Sequence, residues 1–433
     1  MTDAATDLSV SAATLDADWL RTLCLDAGAD DVGFVEIDRP EIEVDREDIL
    51  AAAPWARTLA TFVLRWQREN IRSPMRSIAN HEFHAGYDSV TEVSREIVKA
   101  LGEHGVRAMH TVFGFPMEMD RWPSKPWIVS HKLAAEAAGL GRMGIHRNVI
   151  HPRFGNFIAI GTVLIDRDVD QPSRPLDYNP CLTCKLCVAA CPTGAIKPDG
   201  HFDFSACYTH NYRELMSGFG DWVEQVADSG SVNEYRRRVS DDETVSMWQS
   251  LTFKPGYKAA YCVSVCPAGE DVLGPFQEDK KGFVEEFVRP LQEKAERVYV
   301  VPRSDAEEYV PKRFPTKSTK RASHGLRART VDQFLMALPW LFQREKSAGL
   351  NATYHFTFTG SEHRTATIDI RDKTLTIEEG HTGEPDMRLK VDTNTWFGFL
   401  AKEKSLLPAV LRRRIRVKGP LRLMKAFARC FPS

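Results

Sequence analysis

A chain of 433 residues, 43% apolar and 27% charged, holds material for two or three packed domains and is not a disordered polymer. Its net charge of −2 argues against a nucleic-acid partner for the molecule as a whole. No apolar run approaches the ~18 residues of a membrane span, and the N-terminus lacks a basic or apolar export segment, so a cytoplasmic chain with no transmembrane segment and no disulfides is expected.

Residues 16–27 have helical spacing, with Trp19, Leu20, Leu23 and Cys24 on one face, and 31–37 then reads as a strand. A second strand is expected over 58–64 and a helix over 89–103, built on Val90, Val93, Ile97, Val98 and Leu101. Helix 131–138 runs into a glycine-rich stretch, and 157–165 has the pattern of a buried strand. This alternation predicts an α/β or α+β domain through about residue 170. Seven of the nine cysteines follow between 181 and 266. A long insert separates Cys207 from Cys262, with helices expected over 212–227 and 232–249, and another over 283–298. Residues 311–329 are rich in Lys and Arg, poor in apolar groups, and read as a solvated linker. Beyond it come helix 331–342, strands 353–359, 364–370, 374–378 and 387–391, helix 396–404, strand 414–418 and helix 421–430.

Cys181, Cys184, Cys187 and Cys191 are spaced C-x2-C-x2-C-x3-C-P, the bacterial ferredoxin run. Three thiolates approach one cluster from a tight loop, and the fourth, before Pro192, serves a second cluster. Cys262 and Cys266, before Pro267, form a truncated second motif. The crossover rule assigns Cys181, Cys184, Cys187 and Cys266 to one 4Fe–4S cluster, and Cys191, Cys207 and Cys262 to the other. Ala259 stands where an eighth thiol belongs, so the second cluster is 3Fe–4S, or 4Fe–4S with a non-cysteine ligand such as His201 or His210.

The helix ending in Ala138, the stretch from Gly139 to Gly144, the segment from His151 to Phe157 and the cysteine run together resemble the cobalamin-dependent reductive dehalogenases and epoxyqueuosine reductases, over about residues 15–275. The resemblance implies a nitroreductase-like domain holding a base-off cobalamin, with Gly139, Gly141, Arg142 and Gly144 lining the corrin. It also implies an external electron donor of ferredoxin or flavodoxin type. Epoxyqueuosine reductases carry an acidic proton donor ahead of the helix before the glycines; here 123–131 contains no Asp or Glu. Tyr87, Lys125, His131 and His146 are the candidate proton donors instead. Residues 331–433 resemble the sterol-carrier-protein-2-like domains through 366–370, 375–380, 385–389 and 415–419. That resemblance implies a tunnel for a hydrophobic or lipid ligand, with Phe334, Trp340, Trp396, Phe399 and Phe427 among its lining. The basic run from Arg412 to Arg414, with Arg416 and Lys418, is a candidate contact for anionic headgroups.

The expected architecture is α+β multidomain: a nitroreductase-like α/β domain over 1–174, a bacterial ferredoxin-like double-cluster domain over 175–300, a basic linker over 301–330 and an SCP2-like α/β sheet domain over 331–433. The expected function is an iron–sulfur reductase for a hydrophobic, steroid- or lipid-like substrate. The alternatives are a ferredoxin-type electron-transfer protein with a docking module, and a tRNA epoxyqueuosine-type reductase.

Overall fold

The computed structural model describes residues 14–123, 125–181, 183–401 and 403–432; the N-terminal segment read for an export signal lies, through residue 13, outside them. Helix α1 (Ala17–Asp26) is capped by Asp16, whose carboxylate accepts the Trp19 N–H at 2.8 Å. Strands β1 (Asp31–Glu36) and β2 (Thr58–Arg65), helix α2 (Arg76–Glu103), strand β3 (Ala108–His110), helix α3 (His131–Ala137) and strand β4 (Ile158–Ile165) follow. The four strands form an antiparallel sheet in the order β1-β2-β4-β3. Every residue of β4 is buried, as its unbroken apolar run requires. One face packs Leu20, Phe34, Ile97 and Leu101; the other packs Ala134, Ala138 and Leu140. Helix α2 begins well before the expected residue 89. Its early buried face carries Ala79, Glu82, Phe83 and Gly86, and the glutamate and glycine hide the apolar period.

Next come helices α4 (Leu186–Ala190), α5 (Phe204–Asn211), α6 (Asp241–Phe253) and α7 (Tyr261–Ser264). The insert between Cys207 and Cys262 also contains helices Gly218–Ala227 and Val232–Arg238, so the expected helix 232–249 is broken at Val239. Arg213, fully buried, ties the insert together through Asp221 at 2.8 Å and Glu243 at 3.0 Å. The expected helix 283–298 stops early, and its β-branched end becomes strand β5 (Arg297–Val300), which pairs in parallel with β6 (Ser318–Arg321).

The basic linker is therefore not a linker. Between β5 and β6 lies helix Asp305–Arg313, and Phe314 and Lys317 are buried. The Lys317 ammonium donates to the Leu291 and Lys294 carbonyls and to Glu296 at 2.7 Å. Lys320 pairs with Glu243, Arg321 with Glu307 and Arg327 with Glu224. Of the neutralising acids, Glu224, Glu243 and Glu296 lie outside the stretch, where a local charge count cannot see them.

The C-terminal unit comprises helix α8 (Val331–Leu341), strands β7 (Ala352–Thr359), β8 (Arg364–Arg371), β9 (Thr374–Glu379) and β10 (Met387–Asp392), helix α9 (Thr393–Leu400), strand β11 (Ile415–Lys418) and helix α10 (Leu421–Cys430). The sheet order is β9-β8-β7-β10-β11, with β7 and β10 parallel. Helices cover one face. Phe334 packs edge-on against Trp396 at 5.8 Å and near Phe356 and Phe358, and Phe427 meets Tyr354 at 5.0 Å. Trp340 does not join this core: its ring lies 5.4 Å from Phe204 of α5.

Candidate metal centre and its recess

Helices α4 and α7 begin in the same way. Lys185 and Ala260 adopt left-handed backbone, with φ of 55° and 54°. Two residues later come Cys187 and Cys262, and four further on Cys191-Pro192 and Cys266-Pro267. The correspondence places Ala259 opposite Cys184 and Gly256 opposite Cys181. Cys207 reaches the second repeat from α5, whose start is capped by the Asp203 carboxylate accepting the Ala206 N–H.

The seven thiols gather in two adjoining groups. Burial pushes Cys266 up to about 12, with Cys184, Cys181 and Cys262 adding to the rise. Cys187 is raised by burial and then by Cys262, Cys266, Cys184 and Cys181. Burial raises Cys207, followed by Cys191 and Cys262, and pushes Cys262 to about 12, followed by Cys191. No three His, Cys, Asp or Glu side chains among the described residues converge as a mononuclear metal site would require. The donor set fits iron–sulfur clusters: buried thiols that resist ionisation alone become thiolates when cationic iron binds them.

Two arginines strengthen that fit. Arg72 lies over the Phe287 ring at 4.2 Å, its Nε and one Nη are buried without acceptors, and its charge acts on Cys266. Arg76 lies over Tyr261 at 5.4 Å, has two equally unpartnered nitrogens, and acts on Cys262. Buried donors without acceptors are costly. Cluster sulfur beside each thiol would supply the acceptors.

The second thiol group adjoins a recess. Lys132, on α3, keeps open surface, yet burial lowers its pKa against the opposing pull of Cys262 and Cys207. Tyr87, Tyr212 and Tyr257 are half-buried and are likewise raised by burial. Open area among so much surrounding protein marks a concavity rather than an outer face. The Lys132 ammonium donates to Asn148 Oδ1 at 2.8 Å, and the Asn148 amide lies 3.9 Å from Cys262 Sγ. The Tyr87 and Tyr257 hydroxyls form a short hydrogen bond, and Tyr87 packs on Phe113 at 4.7 Å. An aromatic series runs from Tyr257 through Tyr212, Tyr208 and Phe204 to Trp340 of the C-terminal unit.

Of the four candidate proton donors, Tyr87 alone lines this hollow. Lys125 is engaged by Asp45 at 2.6 Å and Asp48 at 2.9 Å, an ion pair that holds the chain ahead of α3. His131 is buried, with Nδ1 on Thr162 Oγ1 and Nε2 on the Val112 carbonyl, both at 2.9 Å, so neither nitrogen is left for chemistry. His146 is held near 3 by burial, reinforced by Lys132. It accepts the Asn148 N–H and touches Asn156, so it positions the residues around Cys262.

The four residues expected to line a corrin do not form a cradle. A side chain at Gly139 would meet the Arg174 carbonyl oxygen at 2.5 Å, one at Gly141 would collide with the Ile150 carbonyl, and one at Gly144 would meet the His146 ring at 2.7 Å. These glycines let the chain pack on itself. Arg142 points outward near Glu136. Nor do His201 and His210 face the thiols. Beyond burial, the charges acting on His201 are Arg344, Asp199, Lys197 and Arg147, and those on His210 are Lys258, Lys317, Arg213 and Lys294. His210 lines a polar cleft of about 880 Å³ with Arg76, Glu214, Tyr257 and Lys258.

Sequence reasoning missed Lys132, Asn148 and Tyr257. Only Lys132 left a signal, as the lone cation in an alanine-rich helix.

Residues 337–432 match the SCP-2 sterol transfer family, and residues 175–197 match the 4Fe-4S binding domain. An epoxyqueuosine reductase of Synechococcus sp. (strain CC9605) is 37% identical over 103 residues, covering 21% of this chain and 31% of that protein. The solved epoxyqueuosine reductase of Bacillus subtilis covers 64% of this chain and 78% of its own at 15% identity, with a TM-score of 0.35. A catabolic reductive dehalogenase covers 63% of this chain and 37% of its own at 14% identity, with a TM-score of 0.37. The chain spans about a third of the length of the curated relatives it matches first. It thus joins a part related to epoxyqueuosine reductases, with a 4Fe-4S binding segment, to an SCP-2-type domain.

Proposed function

We propose that the chain is an iron–sulfur reductase acting on a hydrophobic substrate. Cys181, Cys184, Cys187 and Cys266 would hold one cluster, and Cys191, Cys207 and Cys262 the other, with one corner not held by thiol. The reading is supported by seven thiols, three buried and four half-buried, that lie close enough to act on one another's charge beside a repeated backbone turn. Bound clusters supply single electrons at low potential. Cys181 and Cys184 are half-buried at the protein surface and would face a ferredoxin- or flavodoxin-type donor. The second group faces the recess, where the Tyr87 hydroxyl, held by Tyr257, stands as the proton source. Lys132 stands beside Cys207 and Cys262, which oppose the lowering of its pKa by burial.

The recess, not the glycine stretch, is the proposed seat of cobalamin, with Tyr87, Tyr257 and Lys132 among its walls. When bound, cobalamin supplies a strongly reducing cobalt centre. The SCP-2-type domain would carry the hydrophobic ligand, and Trp340 and Gln333, which donates to the Trp122 carbonyl at 3.3 Å, bring α8 beside the recess. A second reading, reduction of a modified tRNA base, is favoured by the 37% identity to an epoxyqueuosine reductase.

Anaerobically purified protein, assayed together for iron, sulfide and cobalt, tests the cofactors. Reduction of a steroidal or acyl substrate, set against reduction of epoxyqueuosine in tRNA, decides between the substrates. Zinc in place of iron ends the proposal.

A further inference from the structure

The open face of the C-terminal sheet places like charges directly opposite one another. In the β10–β11 pair, Arg388 faces Lys418 and Lys390 faces Arg416, and all four side chains are exposed. Their inward neighbours Leu389, Val391 and Ile415 are buried, so the alternation fixes the cations on the outer side. Directly opposed like charges are destabilising. Arg388 has one weak partner, Glu384 at 3.6 Å, while Lys390, Arg416 and Lys418 have no ion pair among the described residues. The acids on this side are taken up elsewhere: Asp369 on β8 by Arg371 and Thr353, Asp386 by the Thr353 N–H, and Asp392 by Thr395. Arg412, Arg413 and Arg414 lead into β11, all exposed, and Leu411 before them is 75% exposed. From residue 405 to 433 the chain contains no carboxylate side chain.

Cations on an edge strand can simply discourage pairing with other chains. That role needs them on β11 alone and gives no reason for Arg388 and Lys390 one strand further in. We propose that this face docks on an anionic lipid leaflet: the sheet face and Arg412–Arg414 meet headgroup phosphates, and Leu411 enters the interface. The ladder carries no exposed aromatic ring on which an unpaired base could stack, which favours headgroups over single-stranded RNA. The inference does not depend on the iron–sulfur reading. A membrane-docked lipid domain beside the recess would take its ligand from the bilayer.

The test is flotation of the full chain with phosphatidylcholine vesicles and with vesicles of equal parts phosphatidylcholine and phosphatidylglycerol. Binding is expected only to the anionic vesicles, weakening as salt rises. Arg416→Glu with Lys418→Glu should lower vesicle partitioning at least about tenfold. The same variant relieves the opposed charges and should melt at or above the wild-type temperature, so misfolding cannot account for the loss. Equal binding to both vesicles, undiminished binding of the variant, or a charge-dependent grip on an RNA hairpin without vesicle binding would each overturn the proposal.

Discussion

Around α4 one loop offers Cys181, Cys184 and Cys187; around α7 the corresponding positions carry Gly256, Ala259 and Cys262. The left-handed residue, the short helix and the Cys-Pro ending are alike in both. What differs is the supply of thiols, and the second repeat recovers one only by borrowing Cys207 from α5. The difference shows that the turn and the ligand set are separable. A Cys-Pro repeat keeps its shape through backbone geometry and burial after losing half its sulfur. Surroundings differ too: the charge of Arg72 acts on Cys266 of the first group, whereas the second has Lys132 and Asn148 beside it.

The largest expected effect comes from removing thiols. Cys184→Ala should cost the first cluster and leave about half of the roughly seven to eight irons. Cys207→Ala should cost the second, and iron and sulfide analysis separates the two. If either variant loses all iron, the repeats are not independent sites.

Restoring symmetry is the next test. Wild-type protein should show a 3Fe–4S signal by paramagnetic resonance after mild oxidation, and Ala259→Cys should suppress it. An unchanged signal would mean that Ala259 does not face the open corner.

Asp203 caps the helix that carries Cys207, and burial raises its pKa to about 6. Its folded pKa lies above the unfolded value, so the fold favours the protonated acid, and relative stability falls as pH rises through about 6. Asn retains the cap without the charge. Asp203→Asn should therefore raise stability by about 1–3 kcal/mol at pH 8 and change little at pH 4, as thermal melts at both values will show.

The smallest effect separates the arginines. Arg72→Gln should lower the potential of the first cluster and Arg76→Gln that of the second, each by tens of millivolts, where about 59 mV is a tenfold change in a one-electron equilibrium. Potentiometric titration reads both. Crossed effects would mean that the charges act on both clusters together.

Much of this was legible in the residues. Period-two and period-3.6 patterns located β1, β2, β4 and most C-terminal elements, because each buries one face or two against a core. The missing thiol at Ala259 was visible from spacing alone. The linker, the start of α2 and the break at Val239 were not. Lys317 is satisfied by Leu291, Lys294 and Glu296, and one Nη of Arg213 pairs with Asp221 and Glu243, partners brought together only by the fold.

The sequence by itself determined the thiol count, the two Cys-Pro turns and the sheet of the C-terminal unit, since each depends on spacing or short-range periodicity. Only the tertiary structure decided which polar groups are free. It tied Lys125 and His131 into structural bonds, filled the space beside Gly139, Gly141 and Gly144 with the chain's own carbonyls and ring, and left Tyr87 beside Tyr257 in the recess. The reason is physical: a side chain's availability depends on the donors, acceptors and dielectric around it, and in this protein those come from elements 30 to 170 residues away.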